Sequence, residues 1–145
     1  MIDGIGLDRG TKVLVTAGAS GIGRTIAETF EQAGAKIHIC DNSDIALEKC
    51  SSDHPSWGVT KCDVSNPAEV DTLFDEVQKN LSGLDVLVNN AGIAGPTSPV
   101  HEMDIEDWNR TIEINLNGQF YCARRAVPML KASNNASIIC ISSVA

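Results

Sequence analysis

Small residues follow a short apolar run near the start of the chain, in the stretch Thr16-Ala-Gly-Ala-Ser-Gly-Ile-Gly23. Because these residues carry little bulk, the backbone can turn tightly and approach a bound pyrophosphate, while the free N–H groups of a following helix face it. Gly21 and Gly23 suit the close approach, and the Ser20 hydroxyl can contact a phosphate. The stretch predicts a dinucleotide-binding turn, and the alternative is a small-residue turn that binds nothing.

An acidic residue, Asp41, ends the next apolar run, 18 residues after Gly23. Its carboxylate can accept hydrogen bonds from both hydroxyls of an adenosine ribose and would repel a 2′-phosphate, so we predict NAD as the cofactor in preference to NADP. Two alternatives stay open at this point. Asp41 could instead cap the following helix, and Arg24, a cation close to the turn, could accept a 2′-phosphate.

Five short apolar runs alternate with segments of helical periodicity, which is the pattern of β-α-β units in a parallel sheet. The runs span residues 13–15, 37–40, 57–62, 84–88 and 138–141. Helices are predicted over about 22–30, 44–50, 67–81 and 104–131, the last kinked or broken because it contains Asn115, Asn117, Gly118 and Pro128. Right-handed crossovers then give an α/β fold, a doubly wound parallel sheet of Rossmann type in three α/β/α layers.

The length predicts one domain over residues 1–145. The chain ends at Ala145, four residues past the fifth run, with no helix to cover that strand. A strand left as an open apolar edge promotes aggregation, so we expect the sheet to be incomplete on its C-terminal side and the domain to be truncated after the fifth strand.

The composition, with 43% hydrophobic residues and a formal net charge of −8, is that of a soluble globular protein. Its acidity argues against nucleic acid or an anionic membrane as a partner, and no apolar run approaches the ~20 residues of a membrane helix. The five cysteines form no C-x-x-C pair, so neither a disulfide framework nor a metal site is predicted. We predict a cytoplasmic setting, with Cys40, Cys62 and Cys140 as small core residues.

Four further motifs follow in order along the chain: Cys62-Asp-Val64, Asn89-Asn-Ala-Gly92, Asn115 and Ile141-Ser-Ser-Val-Ala145. With the glycine turn and Asp41, they give a sequence that resembles the short-chain dehydrogenase/reductase family from about Lys12 to Ala145. The resemblance implies an NAD(P)-dependent oxidoreductase that transfers a hydride between nicotinamide and an alcohol or ketone, 3-oxoacyl reductase-like or related. It also implies a homodimer or homotetramer for the complete protein. A non-catalytic nucleotide-binding or interaction module is the alternative.

The resemblance also implies roles for single residues. Asn115 would anchor a water molecule in a proton relay, Ser143 would hydrogen-bond the substrate oxygen, and Asp63 and Val64 would lie against the adenine. The cofactor-binding residues predicted from the turn, the acidic residue and the family motifs together are Thr16, Ala17, Gly18, Ser20, Gly21, Ile22, Gly23, Asp41, Asp63, Val64, Asn89, Ala91 and Gly92. For each family motif, a plainer role such as capping a turn or satisfying backbone groups in a loop is the alternative.

Two departures from the family pattern bear on this hypothesis. The family's turn usually has glycine directly after the threonine, where this chain has Ala17. The family's general acid/base is the tyrosine of a Tyr-x-x-x-Lys motif after the catalytic serine, and no tyrosine follows Ser143 in these 145 residues. Tyr121, with Arg125 four residues later, precedes Ser143 and belongs to the wrong element, so we predict that it packs instead. We therefore expect negligible dehydrogenase activity from this chain alone.

Overall fold

The computed structural model describes residues 7–143, so Val144 and Ala145 of the last motif lie outside the described residues. The strands are β1 (Lys12–Thr16), β2 (Lys36–Asp41), β3 (Gly58–Lys61), β4 (Val86–Asn89) and β5 (Ser137–Cys140). The helices are α1 (Gly21–Gln32), α2 (Asp44–Asp53), α3 (Pro67–Leu81), α4 (Ile105–Ile112) and α5 (Gly118–Leu130), with a π-helical segment (Glu113–Asn117) between α4 and α5. Each predicted strand and helix is confirmed to within a few residues.

All five strands are parallel and form one sheet in the order β3-β2-β1-β4-β5. The central strand β1 pairs with β2 on one side, where Val13 lies opposite Ile37, and with β4 on the other, where Val13 lies opposite Val86. The direction of winding reverses between β1 and β4, and such a reversal leaves a crevice at the carboxyl ends of the strands. The predicted α/β fold with a doubly wound parallel sheet is confirmed.

Helices cover both faces of this sheet, and the side chains of β1 alternate between the two layers. Leu14 belongs to the apolar cluster formed with α3 and α5, while Val13 and Val15 belong to the cluster formed with α1 and α2. All three side chains are fully buried. Because β1 is covered on both faces, its sequence is continuously apolar instead of alternating with polar residues.

The starts of the helices differ in how their main-chain N–H groups are satisfied. The side chains of Ser43, Asn66 and Asp104 cap α2, α3 and α4 by accepting hydrogen bonds from first-turn amides. Pro67 occupies the first turn of α3, where its missing N–H costs nothing. Within residues 7–143, Ser20 at the start of α1 makes no side-chain capping bond. The amides of the first turn of α1 are thus available to another acceptor.

The long helix predicted over residues 104–131 is broken, at one of the expected places. The segment Glu113–Asn117 is π-helical, a form in which each carbonyl bonds to the N–H five residues further on. The chain then continues as α5 through Pro128 to Leu130 without a second break. Single π-helical turns inside longer helices are often found at functional sites, and this one carries Asn115.

One expectation about buried residues needs correction. Two of the three predicted core cysteines are buried, but Cys140 is exposed. β5 is the edge strand of the described sheet and all four of its residues are exposed, so this thiol has no core to enter.

Candidate cofactor site

A cleft of about 110 Å³ opens at the carboxyl edge of the sheet, directly after the ends of β1, β2, β3 and β4. Six predicted cofactor residues line it: Ala17, Asp41, Asp63, Val64, Ala91 and Gly92. Four lining residues were not predicted: Asn42, Cys62, Ile93 and Ile114. The other predicted cofactor residues belong to the β1–α1 turn beside the cleft or, for Asn89, to the buried end of β4.

The turn between β1 and α1 is held by hydrogen bonds to the end of β4. The buried Thr16 hydroxyl accepts hydrogen bonds from the N–H groups of Asn90 and Ala91, both at 3.0 Å. In return, the Asn90 side-chain amide donates to the carbonyls of Thr16, at 3.0 Å, and of Ala17, at 3.2 Å. Since β4 lies next to β1 in the sheet, these four hydrogen bonds hold the turn in one position.

Gly23 lies where the start of α1 crosses this turn. A Cβ atom at that position would overlap the Ala17 carbonyl oxygen and lie 2.5 Å from the Asn90 side-chain nitrogen. Neither partner can move away freely, because the two are hydrogen-bonded to each other. The site therefore requires glycine here, and its absence of a side chain lets α1 begin close against the turn.

The N-terminus of α1 offers an electrostatic setting for an anion. Its first turn contains no acidic residue and, within residues 7–143, Ser20 provides no capping bond. The first turns of α2, α3 and α4, in contrast, contain Asp44, Glu69 and Glu106. The partial positive charge at this end of α1 is thus not offset by a carboxylate of its own first turn, which favours a bound anion such as a phosphate.

The Asp41 carboxylate lies on the wall of the cleft with 8% of the residue exposed. Its Oδ2 atom accepts a hydrogen bond from the Ala19 N–H at 3.3 Å, and its Oδ1 atom accepts one from the Ser43 N–H at 3.1 Å. Ser43 is the N-cap of α2, which excludes the alternative capping role for Asp41. Each carboxylate oxygen keeps a second lone pair, so Asp41 can also accept hydrogen bonds from a ligand.

Arg24, the cation that could favour a 2′-phosphate, is bound to carboxylates. Its Nε atom lies 2.8 Å from Glu28 Oε1, and its Nη2 atom lies 2.8 Å from Asp53 Oδ2. The hydrogen bonds to Glu28 and Asp53 raise the pKa of Arg24 above its ordinary value, so the guanidinium stays charged and paired. Arg24 therefore joins α1 to the end of α2.

Asp63, in the loop after β3, presents an ionised carboxylate to the cleft. Burial raises the pKa of Asp63. Hydrogen bonds from the Ser65 hydroxyl, at 2.6 Å, and from the Ser65 N–H, at 3.0 Å, lower this pKa, as does the charge of Arg110, and the net result is a pKa below its ordinary value. Arg110 Nη2 lies 3.8 Å from Asp63 Oδ2. An ionised carboxylate only accepts hydrogen bonds, which suits a ligand amino group.

Two predicted site asparagines connect the cleft to the helix layer. The Asn89 side-chain amide donates to the Gln119 carbonyl at 3.4 Å. Asn115 forms two hydrogen bonds with one residue, since its Oδ1 accepts from the Ile93 N–H and its Nδ2 donates to the Ile93 carbonyl, both at 2.8 Å. Because Ile93 lines the cleft, the π-helical segment fixes one of its walls through Asn115.

The two predicted catalytic residues are not among the cleft-lining residues of the described part of the chain. Ser143 is exposed, three residues after the end of β5, and Asn115 acts on the cleft through Ile93. The Tyr121 hydroxyl donates to Glu113 Oε1 at 2.8 Å. This hydrogen bond raises the pKa of Tyr121, whereas a catalytic base needs a pKa brought toward neutrality, so Tyr121 does not fit that role.

Three further chemical properties concern the described part of the chain. Within residues 7–143, no helix is long and apolar enough to span a bilayer. The same part of the chain contains no group of three or more His, Cys, Asp or Glu side chains arranged to hold a metal ion. All five cysteines are free thiols.

Comparison with known proteins decides the family. A family model described as short chain dehydrogenase matches residues 11–145. The chain belongs to the short-chain dehydrogenase family. A tropinone reductase homolog of Arabidopsis thaliana is 40% identical to it, with 94% of this chain and 53% of the relative covered. A 3beta-hydroxysteroid dehydrogenase of Mediterraneibacter gnavus is 39% identical, with 92% of this chain and 49% of the relative covered.

A solved short-chain dehydrogenase neighbour agrees in fold. The ligand-free aldohexose dehydrogenase of Thermoplasma acidophilum is 36% identical and superposes with a TM-score of 0.82, covering 94% of this chain and 50% of the other. The chain spans about half the length of these relatives. The family resemblance predicted from the sequence motifs is thus confirmed.

Within this short-chain dehydrogenase fold, the sequence prediction missed residues next to those it identified. Asn90 belongs to the Asn89–Gly92 motif, but its particular task, holding the β1–α1 turn, was not foreseen. Ile93 directly follows the same motif, and Asn42 directly follows Asp41. Adjacency to a predicted residue was the signal available for these positions.

Proposed function

We propose that this chain forms the NAD-binding part of an oxidoreductase that transfers a hydride between a nicotinamide cofactor and an alcohol or ketone carbon. One observation carries the proposal: two groups that suit this cofactor border the same turn. They are the first-turn amides of α1, which Ser20 does not cap in the described structure, and the Asp41 carboxylate. Such a site combines a positive end for a diphosphate with an acceptor for a ribose diol. Membership of the short-chain dehydrogenase family supports the oxidoreductase class.

The residues fit this cofactor part by part. Gly23, where a side chain would not fit, allows the amides of α1 to come close to the diphosphate. Asp41 would accept hydrogen bonds from the ribose hydroxyls and repel a 2′-phosphate. Arg24 is bound to carboxylates and does not neutralise that repulsion. Asp63 would accept a hydrogen bond from the adenine amino group. The nicotinamide, when bound, supplies the hydride chemistry, and the protein supplies position and charge.

On the substrate side, we propose that Ser143 donates a hydrogen bond to the carbonyl or hydroxyl oxygen, and that Asn115 serves a water-mediated proton relay. Neither side chain is a proton donor at neutral pH, because efficient transfer needs a group with a pKa near neutrality. A tyrosine acquires such a pKa beside a cation, whereas Tyr121 contacts the Glu113 carboxylate. We therefore expect Ser143 and Asn115 to position and polarise a substrate without supplying its proton.

An activity assay tests this division of tasks. The 145-residue polypeptide should oxidise NADH with a panel of ketones, including 3-oxoacyl thioesters, no faster than its Ser143→Ala variant. Turnover clearly above that variant would mean that a proton donor within these residues has been overlooked.

We further propose a homodimer or homotetramer for the complete protein and a cytoplasmic location. Trp108, Leu116 and Phe120, on α4 and the helical segments after it, are large apolar side chains that are 54–61% exposed, and burying such side chains against a second copy favours association. Five free thiols are typical of a reducing compartment. Light scattering should give a monomer mass for Phe120→Glu and a multiple of it for the wild type, and equal masses would contradict the proposal.

Isothermal titration calorimetry tests the cofactor proposal. The wild-type protein should bind NAD and prefer it to NADP. Asp41→Asn removes the charge and keeps the shape, so it should reduce this preference by about tenfold or more, since like charges in contact cost several kcal/mol. Asp44→Asn is the matched control, because the Asp44 carboxylate pairs with the exposed Lys61 and is not a cleft residue in the described structure. A wild-type protein that takes up neither nucleotide would overturn the proposal.

A further inference from the structure

One residue of the β1–α1 turn adopts a backbone conformation that its side chain disfavours. Ala17 has a φ of +49°, in the left-handed region that residues with a Cβ atom rarely adopt. Among the non-glycine residues that the structure describes, Ser82 is the other with a positive φ, and it lies at the end of α3. A conformational cost retained at a binding site points to a use for the group that causes it, here the methyl group.

The neighbours of Ala17 hold it in this conformation from both sides. Its N–H faces the buried thiol of Cys40, at the end of β2. Its carbonyl accepts a hydrogen bond from Asn90 at 3.2 Å and lies against Gly23, where no Cβ atom would fit. The next residue, Gly18, donates its N–H to the Cys40 carbonyl at 2.9 Å. The direction of the Ala17 methyl group is therefore set by the fold.

That methyl group belongs to a residue lining the cleft together with Asp41 and Asn42. The Asp41 carboxylate is held next to the same turn by the Ala19 N–H, at 3.3 Å. A ribose whose diol reaches Asp41 must therefore lie close to Ala17. A 2′-phosphate adds a phosphorus atom and three oxygen atoms to that ribose, next to the two residues, Ala17 and Asp41, that line this part of the cleft.

We propose that Ala17 is a second specificity-determining residue of the ribose pocket, acting through the volume of its methyl group beside the charge of Asp41. The inference rests on the proposed function, because it concerns the same cofactor site. NADP is then rejected for two separate reasons, repulsion by a carboxylate and lack of room. Both barriers act on the same 2′-phosphate, so the effect of removing the methyl group should be larger once residue 41 is uncharged, and the double change should shift the specificity by more than the two single changes together predict.

Calorimetry on wild type, Ala17→Gly, Asp41→Asn and the double variant tests this coupling. The ligands are NAD and NADP, with adenosine 5′-monophosphate and adenosine 2′,5′-bisphosphate as smaller probes. Ala17→Gly alone should leave the ratio of NADP to NAD affinity within about twofold, because Asp41 still repels the phosphate. When Ala17→Gly is added to Asp41→Asn, the ratio of NADP to NAD affinity should shift toward NADP by about a further tenfold. Relief of overpacking by one methyl group typically contributes a free energy that corresponds to about this factor.

Ala33→Gly in the Asp41→Asn background is the control for an alanine-to-glycine change outside the cofactor site. Ala33 is the C-cap residue of α1 and is not among the cleft-lining residues of the described chain, so the ratio should equal that of Asp41→Asn alone. Glycine suits a positive φ, so Ala17→Gly should fold, and thermal unfolding of each variant checks this.

Two results separate this inference from the proposed function. If Ala17 has only a conformational role, Ala17→Gly changes the affinity for both nucleotides alike and the ratio in the double variant equals that in Asp41→Asn. This result overturns the inference, while NAD binding by the wild type still supports the proposed function. If the wild type binds neither nucleotide, the proposed function fails and the inference fails with it.

Discussion

His38 should make the stability of this protein depend on pH between about pH 4 and pH 6.5. The ring is fully buried in β2, with Nε2 2.8 Å from Thr60 Oγ1 and Nδ1 3.3 Å from the Asn80 side-chain nitrogen. Burial lowers the pKa of His38 from its ordinary 6.5 to about 4, against a smaller opposing effect of Glu76. Because Asn80 donates to Nδ1, the neutral ring carries its proton on Nε2 and donates to Thr60.

The sign and size of the effect follow from this pKa. In the unfolded chain, the His38 ring binds a proton below about pH 6.5, whereas in the folded protein it does so only below about pH 4. Between these values the unfolded state binds more protons, so stability falls as the pH falls. The loss from this one group should be about 2 kcal/mol between pH 8 and pH 5 and about 3 kcal/mol in full below pH 4.

Urea unfolding at about pH 8 and about pH 5 measures this loss in wild type and in His38→Gln. Glutamine keeps a polar group near Thr60 but does not titrate, so the variant should lose about 2 kcal/mol less than wild type. Carboxylates titrate in both proteins and cancel in the difference. His101→Gln is the control, because its side chain is 76% exposed and should leave the wild-type pH dependence unchanged. Equal losses in wild type and His38→Gln would refute the reasoning.

Four further substitutions can be checked by urea unfolding at neutral pH. Ala17→Gly should raise the free energy of unfolding by about 0.5–1 kcal/mol, because the gain from removing left-handed strain exceeds the added entropy of the unfolded chain. Ala27→Gly, at a buried helical position, should lower the free energy of unfolding by about 1 kcal/mol or more. A change of the same sign in both variants would contradict this explanation. Gly118→Ala should cost about 1–3 kcal/mol, because its Cβ would lie 2.8 Å from Val64 Cγ2, and unchanged stability would show that α5 can shift. Phe74→Ala should cost about 3–5 kcal/mol, and a loss below about 1 kcal/mol would mean that Phe74 is not packed as described.

Local signals explain why much of the fold was predictable. Asn66-Pro67 and Asp104 start helices through contacts with their own first turns, so a few neighbouring residues contain the information. The cleft was partly predictable for a different reason. In a parallel sheet the carboxyl ends of all strands meet at one edge, so residues that follow separate strands, such as Asp41 and Asp63, converge there.

Pairings between distant residues were not predictable. The Asn90 side chain meets the Ala17 carbonyl across 73 positions in the sequence, and neither residue alone signals the contact. The same contact helps to force the positive φ of Ala17, so the backbone conformation of this residue also depends on tertiary structure. Composition indicated that the long helix would be interrupted, but not that the interruption would be π-helical.

A polar cluster between α1, α2 and β3 was also not predicted. His54 stacks on Trp57 with ring centroids 3.9 Å apart, and the Trp57 indole N–H donates to Glu31 at 2.7 Å. The His54 ring also contacts Glu28 at 3.1 Å. These side chains come from segments whose mutual packing appears only once the sheet order is known, and Glu28 and Glu31 singly are typical of a solvated helix surface.

The π-helical segment holds one extra residue without rotating the second half of the long helix about its axis. Each of its carbonyls bonds one residue further along than in an α-helix, so a wider turn accommodates the extra residue. The buried Cys122 and Ala126 of α5 therefore keep their place against the sheet. Deleting one residue of Glu113–Asn117 should restore a regular α-helical turn and preserve the packing of α5, so the loss should fall on Asn115 and its two hydrogen bonds to Ile93.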